Sequence, residues 1–420
     1  MRSPGWRTIM TLCAIPLLAG CTLTKITATP YVIIGPPTPT ATPTFEPLAF
    51  APTELATATP MPLPDPLWQQ QANLTLYQKD GHLCLLPNGG APQYVAEAAG
   101  VSYATISSDG QLIATVHSAV QDGDTFLMKG ASPFEIHIVG PSGQNDHLLL
   151  ASKDLGVTAP ASMSRAEVGT ARLRLDDLEW APGTHRIIFS ADYASVTGDT
   201  YSLHILNADT GEHHILLDTG SGGTFLISPD GHSVAVITPG SIGMMNSDGS
   251  GWRRDVLPYK LNSGSGAPAF VRPTWAVDSS GLWVALPPPD PNSLEQVIQT
   301  WSIPADGSHV TQVSSVNGLR VAFATAGGAA VASPDGQYLA AVTTTADRMA
   351  NEVRILRADG SGNTLIYTGV AVFDHWEADS RHFVFRVGLP LPTAWYRGEV
   401  GGSYQLLAAP AAPAQGCAPG

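Results

Sequence analysis

One short phrase recurs along the chain, and this repetition constrains the fold more than any other feature of the sequence. The phrase reads ISPDGHSVAVI in one place and ASPDGQYLAAV in another. Six copies align on the fourth residue of the phrase, at Asp109, Gly183, Asp230, Asp278, Asp335 and Asp379. The copies follow one another at roughly 50-residue intervals, which is a typical length for a repeated structural unit. The chain is therefore built from repeats of one unit.

A second phrase lies between successive copies of the first. It appears as NADTGE, NSDGSG and RADGSG, and short apolar strands flank its glycine-containing turn each time. Each unit thus holds four strands, and no segment shows a helical period of useful length. We predict an all-β fold, a β-propeller of four-stranded antiparallel blades with six well-marked repeats.

The segment ahead of the first repeat, LTLYQKDGHLCLLPNGGAPQYVAEA, supplies three further strands. We predict that these N-terminal strands form a seventh blade, completed by a strand from the C-terminal tail. The alternative is that they reinforce a ring of six blades. Closure of the ring by both termini would leave no exposed sheet edge, which is why we favour the seventh blade.

The residues before the repeats predict an anchor and a spacer. In residues 1–20, two arginines precede an apolar run that is too short to span a membrane. The run ends in LAGC, which resembles the bacterial lipobox and implies a signal peptide cleaved before a lipidated Cys21. The alternative is an ordinary secretory leader in which Cys21 has no role. Residues 21–66, rich in Pro and Thr, predict a disordered stalk, because proline interrupts both helix and sheet.

The propeller domain is expected over residues 67–410, with a flexible tail over 411–420. Of the four cysteines, Cys13 leaves with the signal peptide and Cys21 carries the lipid. Cys84 and Cys417 remain in an oxidising compartment, where they are candidates for a disulfide between the two ends of the folded region. The alternative is one buried and one free cysteine.

The alternating phrases ISPDGHSVAV and RADGSGN resemble the WD-like repeat of TolB-type periplasmic propellers, over Leu74 to Leu407. The resemblance implies a propeller fold and a place in the cell envelope. The same repeat occurs in dipeptidyl-peptidase propellers and oligogalacturonate lyases, so it implies no single activity. Three copies depart from the phrase: Gly183 replaces Asp, and VDSSG and EADSR lack Pro or Gly. We expect less regular inner turns in those blades.

No catalytic motif is recognisable. The sequence has neither G-x-S-x-G nor HExxH, and no Cys/His pair has zinc spacing. We therefore predict a protein without enzymatic activity, cofactor or metal. Pro, Asp and Gly in SPDG are explained by a tight turn. The alternatives are a metal bound by a ring of these aspartates, and a propeller enzyme of the polysaccharide lyase or hydrolase type with its site in the axial funnel.

Recognition is expected on the unequal loops between the repeats and on the inner strands next to them. The candidate ligand face comprises Asp176, Asp177, Trp180, Arg272, Trp275, Asp374, His375 and Trp376. Further charged candidates are Arg172, Arg174 and Glu179. The three tryptophans share one position of the phrase, where we expect packing between blades; the alternative is that some line the funnel. His213 and His214 are expected on a solvated outer hairpin.

Charge and composition limit the class of partner. The formal net charge is −14, which argues against nucleic acid, because binding to phosphates requires clustered Lys and Arg. We predict a monomeric, non-catalytic binding module. It would be held to the membrane by its lipid alone, on the extracytoplasmic side, and would bind an envelope or extracellular protein, a peptide or a glycan.

Overall fold

The computed structural model describes residues 67–70, 74–118, 129–158, 173–193, 201–261, 270–287, 297–317, 330–344, 350–388, 394–407 and 416–417. The predicted signal peptide, Cys21, the predicted stalk and Arg172 lie outside these residues. The chain divides into two units, Met1–Met61 and Pro62–Gly420, and everything described here belongs to the second. No helix in the described ranges is long and apolar enough to cross a membrane.

The described part of the chain is all-β and forms seven antiparallel sheets, here numbered I to VII in chain order. Sheet I contains β1 (Leu67–Gln70), β2 (Leu74–Lys79), β3 (His82–Pro87) and β4 (Gln93–Glu97). Sheet II contains β5 (Val101–Ile106), β6 (Ile113–Ser118), β8 (Phe134–Val139) and β9 (His147–Ala151). Sheet III contains β10 (Leu173–Trp180), β11 (Arg186–Tyr193), β12 (Ser202–Asn207) and β13 (His213–Leu217), with the short β7 (Gly130–Ala131) added beside β10.

The remaining four sheets repeat the same order of strands. Sheet IV contains β14 (Thr224–Ile227), β15 (Ser233–Thr238), β16 (Ser241–Asn246) and β17 (Arg253–Pro258). Sheet V contains β18 (Thr274–Trp275), β19 (Gly281–Leu286), β20 (Val297–Pro304) and β21 (Thr311–Asn317). Sheet VI contains β22 (Ala330–Ala332), β23 (Tyr338–Thr344), β24 (Asn351–Arg357) and β25 (Asn363–Gly369). Sheet VII contains β26 (Ala371–Trp376), β27 (His382–Val387), β28 (Ala394–Glu399) and β29 (Tyr404–Leu407). A single 3₁₀ turn, Ser152–Asp154, follows β9 in the described residues.

Seven four-stranded units packed in series confirm the β-propeller. Each of sheets II to VI buries apolar side chains on both faces, one set against the sheet before it and one against the sheet after it. In sheet III, for example, Phe189 packs toward sheet II, whereas Ile188, its neighbour in β11, packs toward sheet IV. This alternation follows from the two-residue period of a strand, and it explains why the middle strands read as nearly continuous apolar runs.

The first blade differs from our expectation. Its four strands all come from the N-terminal segment, because β1 pairs with β2 and completes the sheet. A completing strand from the C-terminal tail was therefore the wrong prediction. The tail returns to this blade through a disulfide, in which Cys84 of β3 is bonded to Cys417 with the two Cα atoms 5.8 Å apart.

The inner turn in sheets II to VII is built by the repeated phrase. In sheet IV, the Asp230 carboxylate accepts hydrogen bonds from the Ser228 hydroxyl (2.5 Å) and the His232 amide (3.0 Å), while Gly231 has a φ of 75°. The turns at Asp109 and Asp335 repeat these contacts. These contacts account for the repeated aspartate by turn chemistry.

The two copies that lack the turn glycine are as regular as the others, so the expectation of less regular turns there was wrong. Ser279 and Ser380 take the left-handed conformation that glycine has elsewhere, with φ values of 60° and 58°. Their hydroxyls accept a hydrogen bond from the turn of the preceding blade, at the amides of Asp230 and Asp335 (3.0 Å each). The contact between blades compensates for the backbone conformation, which costs a serine on the order of 1 kcal/mol.

Candidate functional site

The inner strands of a propeller surround its axis, and in four adjacent sheets that strand contains a β-bulge. In sheets VII, I, II and III the pairing of the inner strand shifts by one residue, and the extra residues are Asp374, Trp68, Ser102 and Asp176. The inner strands of sheets IV, V and VI pair without a shift. A bulge resets the alternation of side chains and is a common device beside binding sites. The inner strands of these four consecutive sheets are therefore irregular, whereas those of the other three are regular.

The bulge in β10 gathers acidic side chains in sheet III. Leu175, Leu178 and Trp180 are buried in the core, and they are three and two residues apart rather than uniformly two. Because the strand pairing shifts by one residue at Asp176, both Asp176 and Asp177 point away from the buried apolar face of the sheet, although they are consecutive. Glu179 adds a third half-buried carboxylate on the same strand. The structure thus brings together the predicted Asp176 and Asp177, with Glu179 beside them.

Sheet II supplies the partners of these acids. The Lys129 ammonium lies 4.2 Å from the centre of the Tyr103 ring. The bulged Ser102 donates its hydroxyl hydrogen bond to the Lys129 carbonyl (2.6 Å), and the Lys129 amide donates to the Leu175 carbonyl (2.8 Å). Lys129 is thereby fixed between the inner strands of sheets II and III.

The electrostatics of this group are unbalanced. Burial, followed by repulsion from Asp192 and Asp177, raises the pKa of Asp176 to about 7. Burial and the charge of Asp177 likewise raise the pKa of Glu179 to about 7, and burial raises that of Asp177. Lys129 opposes all three shifts. Lys129 acts on all three carboxylates and Arg174 on Asp176 alone, so the site is short of positive charge.

Arg174 does not supply the missing positive charge, because its guanidinium is paired with another carboxylate. Its Nε and Nη2 atoms donate to the two carboxylate oxygens of Asp192 at 3.0 and 2.6 Å, a bidentate pair in which the Asp192 side chain is 6% exposed. This hydrogen bonding raises the pKa of Arg174. Arg174 lowers the pKa of Asp176, but Asp192 raises it by more, so the pair as a whole adds no positive charge to the acids of β10.

Sheet VII carries a second polar group on its inner strand, centred on Asp374. One carboxylate oxygen of Asp374 lies 2.7 Å from His375 Nδ1, and the other lies 3.1 Å from Arg386 Nε. Burial opposes ionisation of Asp374, but these two partners hold its pKa below the usual range. The Arg386 guanidinium lies 5.3 Å from the centre of the Trp395 ring, and His375 is exposed.

Arg272 joins this group from sheet V. It precedes β18, yet its guanidinium donates to the backbone carbonyls of Phe373 (3.0 Å) and Asp374 in β26. Burial lowers the pKa of Arg272, against the opposing charge of Asp374. The predicted residues Arg272, Asp374 and His375 are thus brought together. Sheets III and VII are separated by two sheets one way around the ring and by three the other, so the two groups lie on opposite sides of the axis.

The three tryptophans do not belong to a ligand face. Trp180, Trp275 and Trp376 are 7–8% exposed. Their indole nitrogens donate to the carbonyls of the preceding blade's inner strand, at Thr105, Leu226 and Val331. Their place among the ligand candidates is therefore corrected: a large ring with one donor fills the junction between blades and satisfies its N–H there.

Two histidine expectations have different outcomes. His214 is exposed beside Glu212, as expected for an outer hairpin. His213 is half-buried, with its Nε2 atom 3.0 Å from Nδ1 of His204. His204 is fully buried, stacked on Phe189, and burial followed by the charge of His213 lowers its pKa to about 3. The solvated hairpin was thus the wrong expectation for His213.

One group in the described residues has the composition and spacing of metal ligands, namely Glu377, Asp379 and His382. Each of its members already has a partner within the protein. Arg397 forms a bidentate pair with Glu377 (2.6 and 2.7 Å), and Asp379 lies 2.5 Å from His382 Nδ1. This group is therefore accounted for by contacts that stabilise the turn.

Sequence reasoning missed Tyr103, Lys129, Asp192 and Arg386. Lys129 and Tyr103 come from a loop and a strand of another blade, and no local pattern connects them with β10. One signal was present: the consecutive acids in LRLDDLEW interrupt the two-residue period, as the DH pair does in FDHWE. A break of this kind in an otherwise alternating strand indicates a bulge.

No protein-family model and no curated protein matches the sequence. Several solved structures have a similar fold. An oligogalacturonate lyase in complex with manganese is 12% identical, with a TM-score of 0.44, over 79% of this chain and 84% of the lyase. TolB from Acinetobacter baumannii is 13% identical, with a TM-score of 0.38, over 80% of this chain and 77% of TolB. A prolyl endopeptidase is 12% identical, with a TM-score of 0.47, over 82% of this chain and 49% of the peptidase.

Proposed function

We propose that this chain is a lipid-anchored, extracytoplasmic binding module that holds a basic segment of a protein or peptide in the channel of its propeller. The observation that carries the proposal is the excess of carboxylates on β10, where Asp176, Asp177 and Glu179 have Lys129 as their common cation. An arriving ammonium or guanidinium group would supply the missing charge. Charge complementarity of this kind determines which partner binds and how it is oriented.

Ionisation couples this binding to pH. The pKa values of Asp176 and Glu179 are about 7, so both groups gain charge as the pH rises through neutrality. A basic ligand binds best to the ionised form and should therefore bind more tightly at pH 8 than at pH 5. A neutral glycan offers no charge to these groups, which favours a basic polypeptide among the candidate partners.

The group on sheet VII would orient the ligand. Arg272 and Arg386 are two cations around the single carboxylate of Asp374, with His375 exposed beside them. An acidic or carbonyl-rich part of the same ligand would be favoured on this side. The two sides of the channel thus favour a polypeptide lying across the axis, with its basic side chain toward sheet III.

The test is a titration of the full chain with a trilysine peptide, using triglycine and triglutamate peptides as controls. We expect trilysine alone to bind measurably, and at least tenfold more weakly to the Asp176→Asn/Glu179→Gln variant. The matched control is Asp218→Asn, which removes one charge from an exposed aspartate. Equal binding of trilysine and triglutamate, or no loss in the double variant, would contradict the proposal.

The anchor has a separate test. Replacing Cys21 by Ser removes the sulfur that would carry the lipid, and a single lipidated residue is the proposed link to the membrane. We expect the Cys21→Ser chain to leave the membrane fraction for the soluble fraction. Retention of the variant in membranes would contradict the lipobox interpretation.

A further inference from the structure

The seventh junction of the ring, between sheets VII and I, is constructed differently from the other six. Clusters of buried apolar side chains join sheets I and II, II and III, III and IV, IV and V, V and VI, and VI and VII. The cluster on the outward face of sheet I holds Tyr77, Cys84 and Cys417, with Leu86 and Tyr94 packed against it. Within the described residues, this cluster contains no side chain from sheet VII.

Strand alternation shows which face of sheet I this is. Leu76, Leu83 and Leu85 pack toward sheet II. Tyr77 and Cys84, one position away in the same strands, must then point to the opposite face. In a ring of seven blades that face is turned toward sheet VII. Both side chains are fully buried, so the face is covered even though no apolar cluster links it to the last blade.

The side of sheet VII that faces sheet I carries two arginines. Phe383, Phe385 and Tyr396 pack toward sheet VI. The alternate positions of β27 and β28 hold Val384, which is 6% exposed, and the partly exposed Trp395. They also hold Arg386 and Arg397, whose side chains are 33% and 32% exposed and are paired with Asp374 and Glu377. Partly exposed ion pairs of this kind contribute little to cohesion between sheets. Among the described residues, no cluster of buried apolar side chains joins this side to sheet I.

The C-terminal segment occupies sheet I at this junction. Cys417 is buried, and its Sγ atom lies 3.7 Å from the Leu83 carbonyl oxygen in addition to the bond to Cys84. Gly416 lies against Asp80, at the turn between β2 and β3. At the junction of sheets VII and I, a covalent bond between residues 333 positions apart therefore takes the place of the interlocking apolar side chains of the other junctions.

We propose that the Cys84–Cys417 disulfide is the latch of the propeller, and that its reduction opens the ring at the junction of sheets VII and I while the other six junctions stay closed. Sheet II would keep its apolar contact with sheet I, and sheet VI its contact with sheet VII. The open form is thus a ring parted at one place. This inference is independent of the ligand proposed above.

The chemistry of opening is a two-electron reduction. A water-soluble phosphine attacks one sulfur, the S–S bond breaks, and water completes the conversion to phosphine oxide and two protein thiols. The gain of two hydrogens is read directly by mass. A phosphine forms no lasting adduct with the cysteines, so the exchange behaviour of the product reports the loss of the cross-link alone.

The test is hydrogen–deuterium exchange of the full chain before and after this reduction. We expect at least tenfold faster exchange in peptides covering β2 and β3 and in those covering β26 and β27. Peptides covering β15, β16, β19 and β20, in sheets IV and V, should change less than twofold. A uniform increase in all sheets, or no increase in sheets I and VII, would overturn the proposal.

Two variants complete the design. Cys84→Ser/Cys417→Ser gives the open state without a reductant, so a disulfide that resists the phosphine still leaves the proposal testable. Leu257→Ala is the matched control, because Leu257 belongs to the buried cluster between sheets IV and V. We expect this control to speed exchange in sheets IV and V and to leave sheets I and VII protected. The reverse pattern in either variant would contradict the assignment of the latch.

Discussion

Neutralising Asp176 should stabilise the folded protein at pH 8 and have little effect at pH 4. The pKa of this carboxyl is raised from 3.8 to about 7 in the folded state, chiefly by burial. Between these two values the folded protein keeps a proton that the unfolded chain has released. The free energy of unfolding therefore decreases as pH rises from about 4 to about 7, and it is constant with respect to this group above that range.

The magnitude follows from the size of the shift. Each pKa unit corresponds to about 1.36 kcal/mol, so a shift of roughly three units has an upper limit of about 4 kcal/mol. The side chain is not fully buried, and water screens part of its charge, so we take about 1–2 kcal/mol. Asparagine has the same size and no charge. The Asp176→Asn variant should thus gain about 1–2 kcal/mol at pH 8, and a few tenths at pH 4, where the carboxyl is already protonated in the folded state.

Urea unfolding followed by tryptophan fluorescence measures this difference. The wild type, Asp176→Asn and the exposed control Asp218→Asn are compared at pH 4 and pH 8. For each variant, the difference in free energy of unfolding from the wild type is compared between pH 4 and pH 8. Effects of the amide group itself are the same at both pH values and cancel in this comparison. An equal advantage at both values, or a loss of stability at pH 8, would refute the argument that this carboxylate is short of positive charge.

Three further predictions concern the frame of the propeller. Trp376→Ala should cost about 3–5 kcal/mol in urea unfolding, because it removes a buried ring and its hydrogen bond to Val331, whereas truncating the half-buried Trp395 should cost less. Ser279→Ala should destabilise the protein by about 1–2 kcal/mol, because it loses the acceptor for the Asp230 amide and keeps a φ of 60°. Ser279→Gly relieves the backbone, so its free energy of unfolding should lie within about 0.5 kcal/mol of wild type. Equal losses of stability in the two variants would contradict this reasoning. The pKa of His204 is lowered to about 3, so the free energy of unfolding should fall as the pH drops below about 6.5, by about 2 kcal/mol at pH 5. His204→Gln should make this decline shallower. An unchanged pH profile in the variant would contradict the assignment of the decline to His204.

Much of the frame could be predicted because its causes are local. The SPDG turn needs only residues within six positions of one another, as the contacts of Ser228, Asp230 and His232 illustrate. The prediction of less regular turns failed because a residue from another blade stabilises a turn that lacks its own glycine. The turn in sheet V has Ser279 where the SPDG turns have glycine, and a hydrogen bond from the preceding blade makes serine suitable there.

The sequence by itself determined the architecture of this protein, since a repeated four-strand unit with fixed turns can bury its two apolar faces only by packing against copies of itself. The tertiary structure alone decided the chemistry of the channel and of the last junction. Arg272 reaches a carbonyl 101 residues away, and Lys129 meets Asp177 only because sheets II and III are neighbours in the ring. The physical reason is that turns and alternation act over a few residues. The charge around a carboxylate, by contrast, depends on every strand that the fold brings within a few ångströms of it.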